Sequence, residues 1–370
     1  MSVTKKIGML PGDGIGPEVV AQGRKVLDAI AEKFGHHFDY AYGDVGAVAI
    51  DKTGNPLPDD TLAICEQSDA FLFGAIGHPK YDNDPSAKVR PEQGLLKLRK
   101  SLGLFANIRP VSAYDSLLHM SPLKADRIAG VDFVVYRELT GGIYFGKKGR
   151  TEDGAYDHCT YSNYEIDRIT HLAFKAAQYR KKQITLIDKA NVLETSRLWR
   201  ERVTKIAEAY PDVTLTTMFV DNAAMQMIQN PKQFDVILTE NMFGDIISDE
   251  ASVIGGSMGL LPSASVGDKT AMFEPIHGSY PQAAGQNIAN PIATILSVAM
   301  MLDHLGLVDE AIDIRQAVKS SLINGMVTAD ISKHSSYGTD RIGDFIANHI
   351  LDGIESCSQS NIKIGLSTII

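Results

Sequence analysis

The sequence has few cysteines, no long apolar segment near its first residues and no apolar run of membrane length. Its three cysteines, Cys65, Cys159 and Cys357, are far apart and lack the paired spacing of metal sites. The N-terminal residues lack the long apolar segment of a signal peptide. The most apolar stretch, Pro291–Leu302, is too short to cross a membrane and is followed by Asp303. We therefore expect a cytoplasmic protein with reduced thiols and no membrane partner.

Basic patches and phosphate loops are also missing. No run of Lys or Arg exceeds three residues and the net charge is −9, which argues against a nucleic-acid partner. The chain has no Gly-x-x-x-x-Gly-Lys-Ser/Thr loop, so a metal-dependent phosphotransferase is not favoured. An anionic substrate would need a local group of arginines that acts against the overall charge.

The composition that remains is that of a globular protein. The chain has 370 residues, of which 44% are apolar and 22% charged. This length suits about two domains. Strand patterns alternate with helical patterns along most of the chain, which predicts an α/β fold. The residues after about Glu355 have no helical period and are expected to form a loose tail.

A glycine-rich loop, Gly12-Asp-Gly-Ile-Gly-Pro17, follows the first predicted strand. Its spacing suggests a dinucleotide site of the Rossmann type, Gly-x-Gly-x-x-Gly. Counted from Gly12, however, Pro17 stands where the third glycine belongs, which disfavours close packing of helix on strand. We expect a tight turn that lets a ligand approach the backbone, and not a Rossmann site.

An acidic helix is predicted after the apolar strand Phe234–Thr239. In the stretch Asn241–Glu250, Asp245 and Asp249 stand four residues apart, on one helix face, with Cβ atoms about 5–6 Å apart. Two such carboxylates repel each other unless a cation or a basic group lies between them. Hard cations such as Mg²⁺ or Mn²⁺ suit these oxygen ligands.

Two details belong to this helix prediction. Ile246 and Ile247 are expected to face a core, so that the acidic pair sits at the edge of buried structure. The simpler alternative is that Asp245 lies in the first turn and only complements the helix dipole, with Asp249 in solvent.

Three arginines are candidates for binding an anionic substrate. Arg99 lies on a predicted helix, Arg109 closes an extended segment, and Arg137 closes a strand. The planar guanidinium suits carboxylates, and three of them suit a di- or tricarboxylate. Ordinary surface arginines are the alternative for each one taken alone. Tyr144 follows a Gly-Gly pair that would leave its hydroxyl accessible, although a tyrosine is more often a core residue.

Two further polar residues follow apolar strands. Lys189 comes after one strand and Asp221 after the next. Ligands of open α/β sheets bind at the carboxyl ends of strands, so both residues are candidates for a site.

Four motifs occur along the chain in one order: Gly12-Asp-Gly-Ile-Gly-Pro17, Tyr136-Arg-Glu-Leu-Thr-Gly-Gly-Ile-Tyr144, Asp188-Lys-Ala-Asn-Val192 and Asn241-Met-Phe-Gly-Asp-Ile-Ile-Ser-Asp249. Together they resemble the β-decarboxylating dehydrogenases, a family that includes the 3-isopropylmalate and isocitrate dehydrogenases. The resemblance covers roughly residues 3–355. The resemblance implies oxidation of a 2-hydroxy acid by hydride transfer to a nicotinamide cofactor, followed by loss of the β-carboxyl as CO₂. A divalent metal chelates the substrate hydroxyl and α-carboxylate.

The resemblance also implies a role for each candidate residue. Asp245 and Asp249 match the metal aspartates, with Asp221 supplied by the other subunit of a homodimer, where it also lies against the substrate. Lys189, also from the partner chain, matches the group that takes the hydroxyl proton, and Tyr144 the acid that reprotonates the enolate. The substrate carboxylates match Arg99, Arg109 and Arg137.

The implied fold is a two-lobed isocitrate/isopropylmalate dehydrogenase-like α/β fold, not a Rossmann fold, with the active site in the interdomain cleft. We expect a large cofactor-binding lobe from 1–104 plus 257–357, and a central lobe, 105–256, that carries the dimer interface. An extended arm is expected at about 147–162, and residues 358–370 are expected to be a tail. The expected cofactor contacts come from two loops and comprise Gly77, His78, Arg90, Glu92, His277, Gly278, Ser279, Gln282, Ala283 and Asn290.

The helix at 92–102 is expected to read the third substituent of the substrate. Leu95 and Leu96 would form an apolar wall one turn before Arg99, with Glu92 beside it. Burying an isopropyl group there is favourable by about 25 cal/mol per Å², whereas burying an unpaired carboxylate is costly. This favours 3-isopropylmalate over isocitrate, tartrate or malate. The alternative is that both leucines are ordinary core residues.

The cofactor loop departs from the family pattern. NAD-using members place Asp after His-Gly-Ser-x-Pro, where it holds the adenosine ribose, and NADP-using members carry a Lys-Tyr pair there. This sequence has Gln282 followed by Ala283. Glutamine still bonds to ribose hydroxyls but repels a 2′-phosphate less. We expect NAD as the preferred cofactor, with weaker discrimination.

Overall fold

The computed structural model describes residues 2–83 and 87–352, which form an α/β protein. The predicted tail, 358–370, lies outside the described residues. The strands are β1 Thr4–Gly12, β2 His37–Tyr42, β3 Ala70–Ala75, β4 Ala106–Ser112, β5 Asp132–Glu138, β6 Lys148–Arg150, β7 Ala155–Asp157, β8 Gln183–Asp188, β9 Thr214–Phe219, β10 Val236–Thr239, β11 Pro262–Val266 and β12 Ala271–Pro275. The helices are α1 Gly16–Phe34, α2 Ala47–Thr53, α3 Asp59–Glu66, α4 Pro79–Asp82, α5 Pro91–Ser101, α6 Ala125–Ile128, α7 Asn163–Gln178, α8 Glu194–Ala207, α9 Val220–Gln229, α10 Asn241–Ser252, α11 Ile292–His304, α12 Val308–Ile323 and α13 Thr339–Asp352.

The described chain divides into two compact units. Unit 1 contains the residues up to Gly103 together with those from Ser257 onward, and unit 2 is Leu104–Gly256. The cofactor-binding and dimer-forming roles expected of the two lobes stay predictions. Unit 1 is therefore built from both halves of the chain, and unit 2 from one continuous segment.

Unit 1 contains the strand order β2–β1–β3–β12–β11, in which only the last pair is antiparallel. Every residue of β3, Ala-Phe-Leu-Phe-Gly-Ala, is buried, as expected for a parallel strand that is covered on both faces. Helix α11 is buried from Ile292 to Leu302, so its apolar residues surround the whole helix. Gly23 of α1 allows close packing, because a Cβ there would lie 2.8 Å from Leu72 and 3.3 Å from Val298.

Unit 2 contains the strand order β4–β5–β10–β8–β9. Strands β5, β10, β8 and β9 are parallel, so their carboxyl ends lie at one edge. Strand β4 runs antiparallel to β5, and its register places Asn107 directly opposite Arg137. Side chains two residues apart on a strand share a face, so Asn107 and Arg109 point the same way. The unit's core includes Phe133, Phe234 and Ile237.

Some predicted elements differ from those observed. The loop 77–91 contains a short helix, α4. The segment 259–268 contains β11, and β12 follows it. Neither strand has the run of branched apolar residues that predicts a strand from sequence, because β11 reads Pro-Ser-Ala-Ser-Val and β12 reads Ala-Met-Phe-Glu-Pro. The segment 147–162, expected to be an extended arm, contains a small antiparallel hairpin, β6–β7, whose residues are largely exposed. None of the helices in the described part of the chain is both long and apolar enough to cross a membrane.

Candidate active site

One residue, Glu240, separates strand β10 from helix α10, which carries the acidic pair Asp245 and Asp249. The Glu240 carboxylate caps it by accepting a hydrogen bond of 2.7 Å from the Phe243 amide. Because the helix begins at Asn241, Asp245 is its fifth residue, and the first turn contains no acidic residue. The simple dipole interpretation, which placed Asp245 in the first turn, is therefore wrong.

One side of α10 faces the core and the other is open. Ile247 is fully buried, as predicted. The prediction for Ile246 is wrong, because this side chain is 57% exposed. A step of one residue turns the helix by about 100°, so two adjacent isoleucines do not share one face.

Arg137, Asp245 and Tyr144 form one connected group. Arg137 Nη1 donates to Asp245 Oδ1 at 2.5 Å, and the Tyr144 hydroxyl donates to Asp245 Oδ2 at 3.0 Å. Tyr144 is 42% exposed, so its hydroxyl is accessible, as predicted. Partial burial and the neighbouring Asp245 carboxylate raise the pKa of Tyr144 above its ordinary value. A tyrosine hydroxyl already carries its proton at neutral pH, and this shift holds Tyr144 more firmly in that protonated form.

Arg109 makes a parallel set of contacts one turn further along α10. Its Nη1 donates to Asp249 Oδ1 at 2.7 Å and to Ser248 Oγ at 2.8 Å. Arg109 is largely covered, whereas Asp249 is open to solvent. Unit 2 thus places two arginines beside two aspartates on successive turns of one helix.

Lys189 and Asp221 form a separate charged pair. Lys189 directly follows β8, and Asp221 lies in the first turn of α9, just after β9. Lys189 Nζ lies 2.6 Å from Asp221 Oδ1. Hydrogen bonding from Lys189 lowers the pKa of Asp221 below its usual value. Among the described residues, no three His, Cys, Asp or Glu side chains meet in a metal-binding arrangement. Asp221 therefore does not join Asp245 and Asp249 within one chain.

The acidic residues of α10 fit part of a site for a hard cation. Asp245 and Asp249 supply carboxylate oxygens of the kind that Mg²⁺ and Mn²⁺ prefer. Their like charges, now balanced by Arg137 and Arg109, also favour a cation between them. One chain offers two carboxylates, so the remaining ligands must come from substrate, water or a second chain.

Arg99 belongs to unit 1, near the end of α5. Its Nη2 donates to Glu274 Oε1 at 2.8 Å, and both side chains are mostly covered. Glu274 on β12 was not predicted from the sequence, because the two partners are far apart in the chain. On the same helix Leu96 is 48% exposed and Leu95 is half-buried. The interpretation of these leucines as ordinary core residues is therefore wrong for Leu96.

The two predicted cofactor loops, which contain Gly77 and Ser279, meet in unit 1. Gly77 has φ +115°, and a Cβ there would lie 3.1 Å from Glu92 Oε1 and 3.6 Å from Ser279 Oγ. The buried Asp13 carboxylate accepts a hydrogen bond of 3.0 Å from the Gly77 amide, and two more from the first residues of α2. Asp13 was not predicted as a structural partner of this loop. At Gly14 a Cβ would lie 1.9 Å from the Ser279 carbonyl oxygen, so protein atoms fill the space that a Rossmann loop leaves for pyrophosphate.

The His277–Asn290 loop offers an orphaned polar atom. His277 Nε2 is buried and has no hydrogen-bond partner among the described residues, and burial lowers the pKa of this histidine below its usual value. A neutral imidazole with one uncommitted nitrogen fits a polar ligand such as a nucleotide. Gly278 has nothing within 4 Å of its Cβ position, so the loop is open there.

The other predicted cofactor residues occupy varied positions. Gln282 is exposed and Ala283 is buried, so only Gln282 has a side chain open to a ligand. The Asn290 amide is engaged within the protein, with Asp330 and the Ile292 amide. His78 precedes α4 and accepts from the Lys80 amide, and Arg90 precedes α5.

Comparisons with known proteins agree with this architecture. A family model described as isocitrate/isopropylmalate dehydrogenase matches residues 6–346. A 3-isopropylmalate dehydrogenase of Bacteroides fragilis is 55% identical over 347 residues, which cover 93% of this chain and 98% of the relative. One from Wolinella succinogenes is 56% identical over 351 residues, covering 93% and 97%. The crystal structure of an isocitrate dehydrogenase from Methylococcus capsulatus matches with a TM-score of 0.83 and 34% identity, covering 94% of this chain and 99% of that one.

All these matches are to dehydrogenases and extend over nearly the whole chain. The chain belongs to the isocitrate/isopropylmalate dehydrogenase family. The predicted fold class is thereby confirmed.

Proposed function

We propose that the protein catalyses the oxidative decarboxylation of (2R,3S)-3-isopropylmalate to 2-oxoisocaproate and CO₂, with reduction of NAD, in leucine biosynthesis. The main support is the identity above 50% with 3-isopropylmalate dehydrogenases, several of which match over more than 90% of this chain. The proposal includes a homodimer with shared active sites, acting in the cytoplasm. A related dehydrogenase of isocitrate, tartrate or malate is the alternative.

Substrate binding is assigned to the arginines. The Arg109 and Arg137 guanidinium groups stand beside the acidic face of α10, where a substrate carboxylate and a metal would share charges. Arg99, in unit 1, is proposed as the third member of the clamp. Planar guanidinium groups bind carboxylates in a fixed orientation, so the substrate would be aligned as well as bound.

The metal site is assigned to Asp245 and Asp249, together with Asp221 of a second subunit. A bound Mg²⁺ or Mn²⁺ would supply Lewis-acid stabilisation of the developing negative charge on the substrate oxygen. The two aspartates of α10 would hold it against the substrate, with Arg137 and Arg109 released to the carboxylates.

Proton transfer is assigned to Lys189 and Tyr144. Lys189 would accept the proton of the substrate C2 hydroxyl, and a bound NAD would supply the acceptor for the C2 hydride. Loss of CO₂ then leaves the electron pair on the substrate as an enolate. A tyrosine hydroxyl carries its proton at neutral pH, and that of Tyr144 donates this proton to the enolate carbon. Solvent reprotonates the tyrosine through its exposed edge.

Substrate choice is assigned to α5. The exposed Leu96 and half-buried Leu95 present apolar surface that an isopropyl group would cover. A third carboxylate would gain no partner from these leucines.

A substrate panel tests the function. Purified protein with Mg²⁺ or Mn²⁺ and NAD should produce NADH with 3-isopropylmalate at a rate far above that with isocitrate, tartrate or malate. In the same panel Leu95→Asn should raise KM for 3-isopropylmalate. A higher rate with another diacid would replace the proposed substrate, and an unchanged Leu95→Asn enzyme would remove the role of the apolar wall.

The cofactor preference has its own test. We expect kcat/KM to be higher with NAD than with NADP. The ratio of the two values should be smaller than in enzymes that have Asp at the position of Gln282. Gln282→Asp should widen that ratio, because a carboxylate repels the 2′-phosphate of NADP. A wild-type ratio near one or below would overturn the assignment of NAD.

A further inference from the structure

The two arginines beside α10 are each held by a buried asparagine. Arg137 Nε and Nη2 donate to Asn241 Oδ1 at 3.2 and 2.9 Å. Arg109 Nε donates to Asn107 Oδ1 at 2.9 Å. Both asparagines are only 1% exposed. In each case an amide oxygen occupies the Nε side of the guanidinium, while Nη1 points to an aspartate of α10.

The fold fixes these asparagines before any ligand arrives. Asn107 lies on β4, opposite Arg137 and on the same face as Arg109. Asn241 is the first residue of α10. Its side-chain Nδ2 donates to the Gly141 carbonyl at 3.1 Å, and its backbone N–H donates to the Tyr161 hydroxyl at 3.0 Å. The Gly141 contact also joins Asn241 to the turn that leads to Tyr144.

An asparagine is chemically suited to this task. An arginine side chain carries about 2 kcal/mol of rotamer entropy, part of which is lost when it is fixed on a ligand. An acceptor that fixes the guanidinium plane in advance reduces that loss on binding. A neutral amide does so without cancelling the positive charge, whereas a carboxylate on the same edge would compete with the substrate for it.

We propose that Asn241 and Asn107 are positioning residues, which hold the planes of Arg137 and Arg109 so that the Nη1 groups, which contact the aspartates of α10 here, are oriented to meet the substrate carboxylates. The proposal rests on the proposed function, since it assumes that these arginines bind a 2-hydroxy diacid. Neither asparagine touches the reacting atoms.

The test separates positioning from general loss of structure. Asn241→Ala should raise KM and the calorimetric Kd for 3-isopropylmalate with Mg²⁺ by about tenfold or more, because both hydrogen bonds that hold the Arg137 guanidinium are lost. KM for NAD should change less than twofold. In an Arg137→Lys background the same substitution should change Kd less than twofold, because lysine has neither Nε–H nor a planar group to orient. Asn107→Ala and Arg109→Lys form a second, equivalent cycle.

Asp235→Asn is the matched control. Asp235 is also 1% exposed and accepts from an arginine, with its Oδ1 at 2.9 Å from Arg180 Nε. It precedes β10, whereas Asn241 follows it, so the two lie about 13 Å or more apart along the strand. This variant should lower the unfolding midpoint and leave KM and Kd for the substrate unchanged.

The outcomes distinguish the two proposals. Wild-type protein without activity on 3-isopropylmalate or the other diacids would overturn the proposed function. Active wild-type protein whose asparagine variants bind substrate normally would overturn the positioning roles. Equal losses in the wild-type and lysine backgrounds, or the same KM change in Asp235→Asn, would also overturn them and indicate a structural effect only.

Discussion

At the residue scale, the charges of the site are held in pairs. Arg137 contacts Asp245, Arg109 contacts Asp249, and Lys189 contacts Asp221. Each acidic partner is more exposed than its basic one. A cation that binds the aspartates would replace the arginine charge and release the guanidinium to an anion. Metal and anionic substrate are therefore expected to bind cooperatively.

Stability should depend on pH through buried histidines. Burial lowers the pKa of His304 from its ordinary value of 6.5, so the folded state keeps this ring neutral at pH values where the unfolded chain binds a proton. The free energy of unfolding should therefore fall as the pH drops below about 6.5. In urea titrations, the urea concentration at the unfolding midpoint should fall between pH 7.5 and pH 5.5. This fall should be smaller for His304→Gln than for wild type. An equal loss in both proteins would contradict this role.

The sequence predicts single residues well where they lie in local motifs. Asp245 and Asp249 were singled out by their helical spacing, Arg137 by its place at a strand end, and Tyr144 by the Gly-Gly pair before it. Glu274, the partner of Arg99, was missed, since 175 residues separate the two. Such contacts depend on how strands are ordered in space, which no local pattern reveals.

At the element scale, helix α10 depends on a glycine for its position. A Cβ at Gly244 would lie 2.5 Å from Arg137 Cγ and 2.8 Å from its Cβ. Contacts this short force the helix or Arg137 to move. The close approach is what lets the helix present its aspartates to the arginine.

Gly244→Ala should damage stability and activity together. We expect the free energy of unfolding to fall by about 1–3 kcal/mol, the usual cost of overpacking. The value of kcat/KM should fall at least tenfold, because Arg137 or Asp245 is displaced. Ser252→Ala, at the end of the same helix, should change stability by less than about 0.5 kcal/mol. A fully active Gly244→Ala protein would show that the helix has room to adjust.

Element prediction succeeded where periodicity was strong. The predicted strand Phe234–Thr239 and the acidic helix after it appear as β10, Val236–Thr239, and α10, Asn241–Ser252. Strands β11 and β12 were missed because their serines, alanines and prolines resemble a loop. Tertiary pairing within unit 1, rather than local preference, makes them strands.

At the scale of the whole molecule, the site needs more than one chain under the proposed mechanism. Asp221 does not meet Asp245 and Asp249 within the described part of one chain. The exposed β6–β7 hairpin lies within residues 147–162, for which the resemblance implies an extended arm, and its role in a dimer stays a prediction. The two-lobed division came from the family resemblance, since pattern alone gives no strand order.

Hybrid dimers test the shared site. Lys189→Ala and Asp245→Asn proteins should each be inactive as homodimers. After unfolding and refolding as a mixture, up to about one quarter of wild-type activity should return, because half the dimers are hybrids and each hybrid has one intact site. Refolding each variant alone is the control. An inactive mixture, with hybrid dimers verified by mass spectrometry, would contradict sharing.

The discontinuity of unit 1 has a consequence for synthesis. Residues 104–256 form a continuous unit, so every strand of their sheet order β4–β5–β10–β8–β9 is available once this segment has left the ribosome. Strand β3 must wait for β12, and helix α1 for α11 and α13, its neighbours from the last part of the chain. The apolar faces of β3 and α1 therefore remain uncovered throughout the translation of unit 2. The first hundred residues are the segment that molecular chaperones are expected to protect.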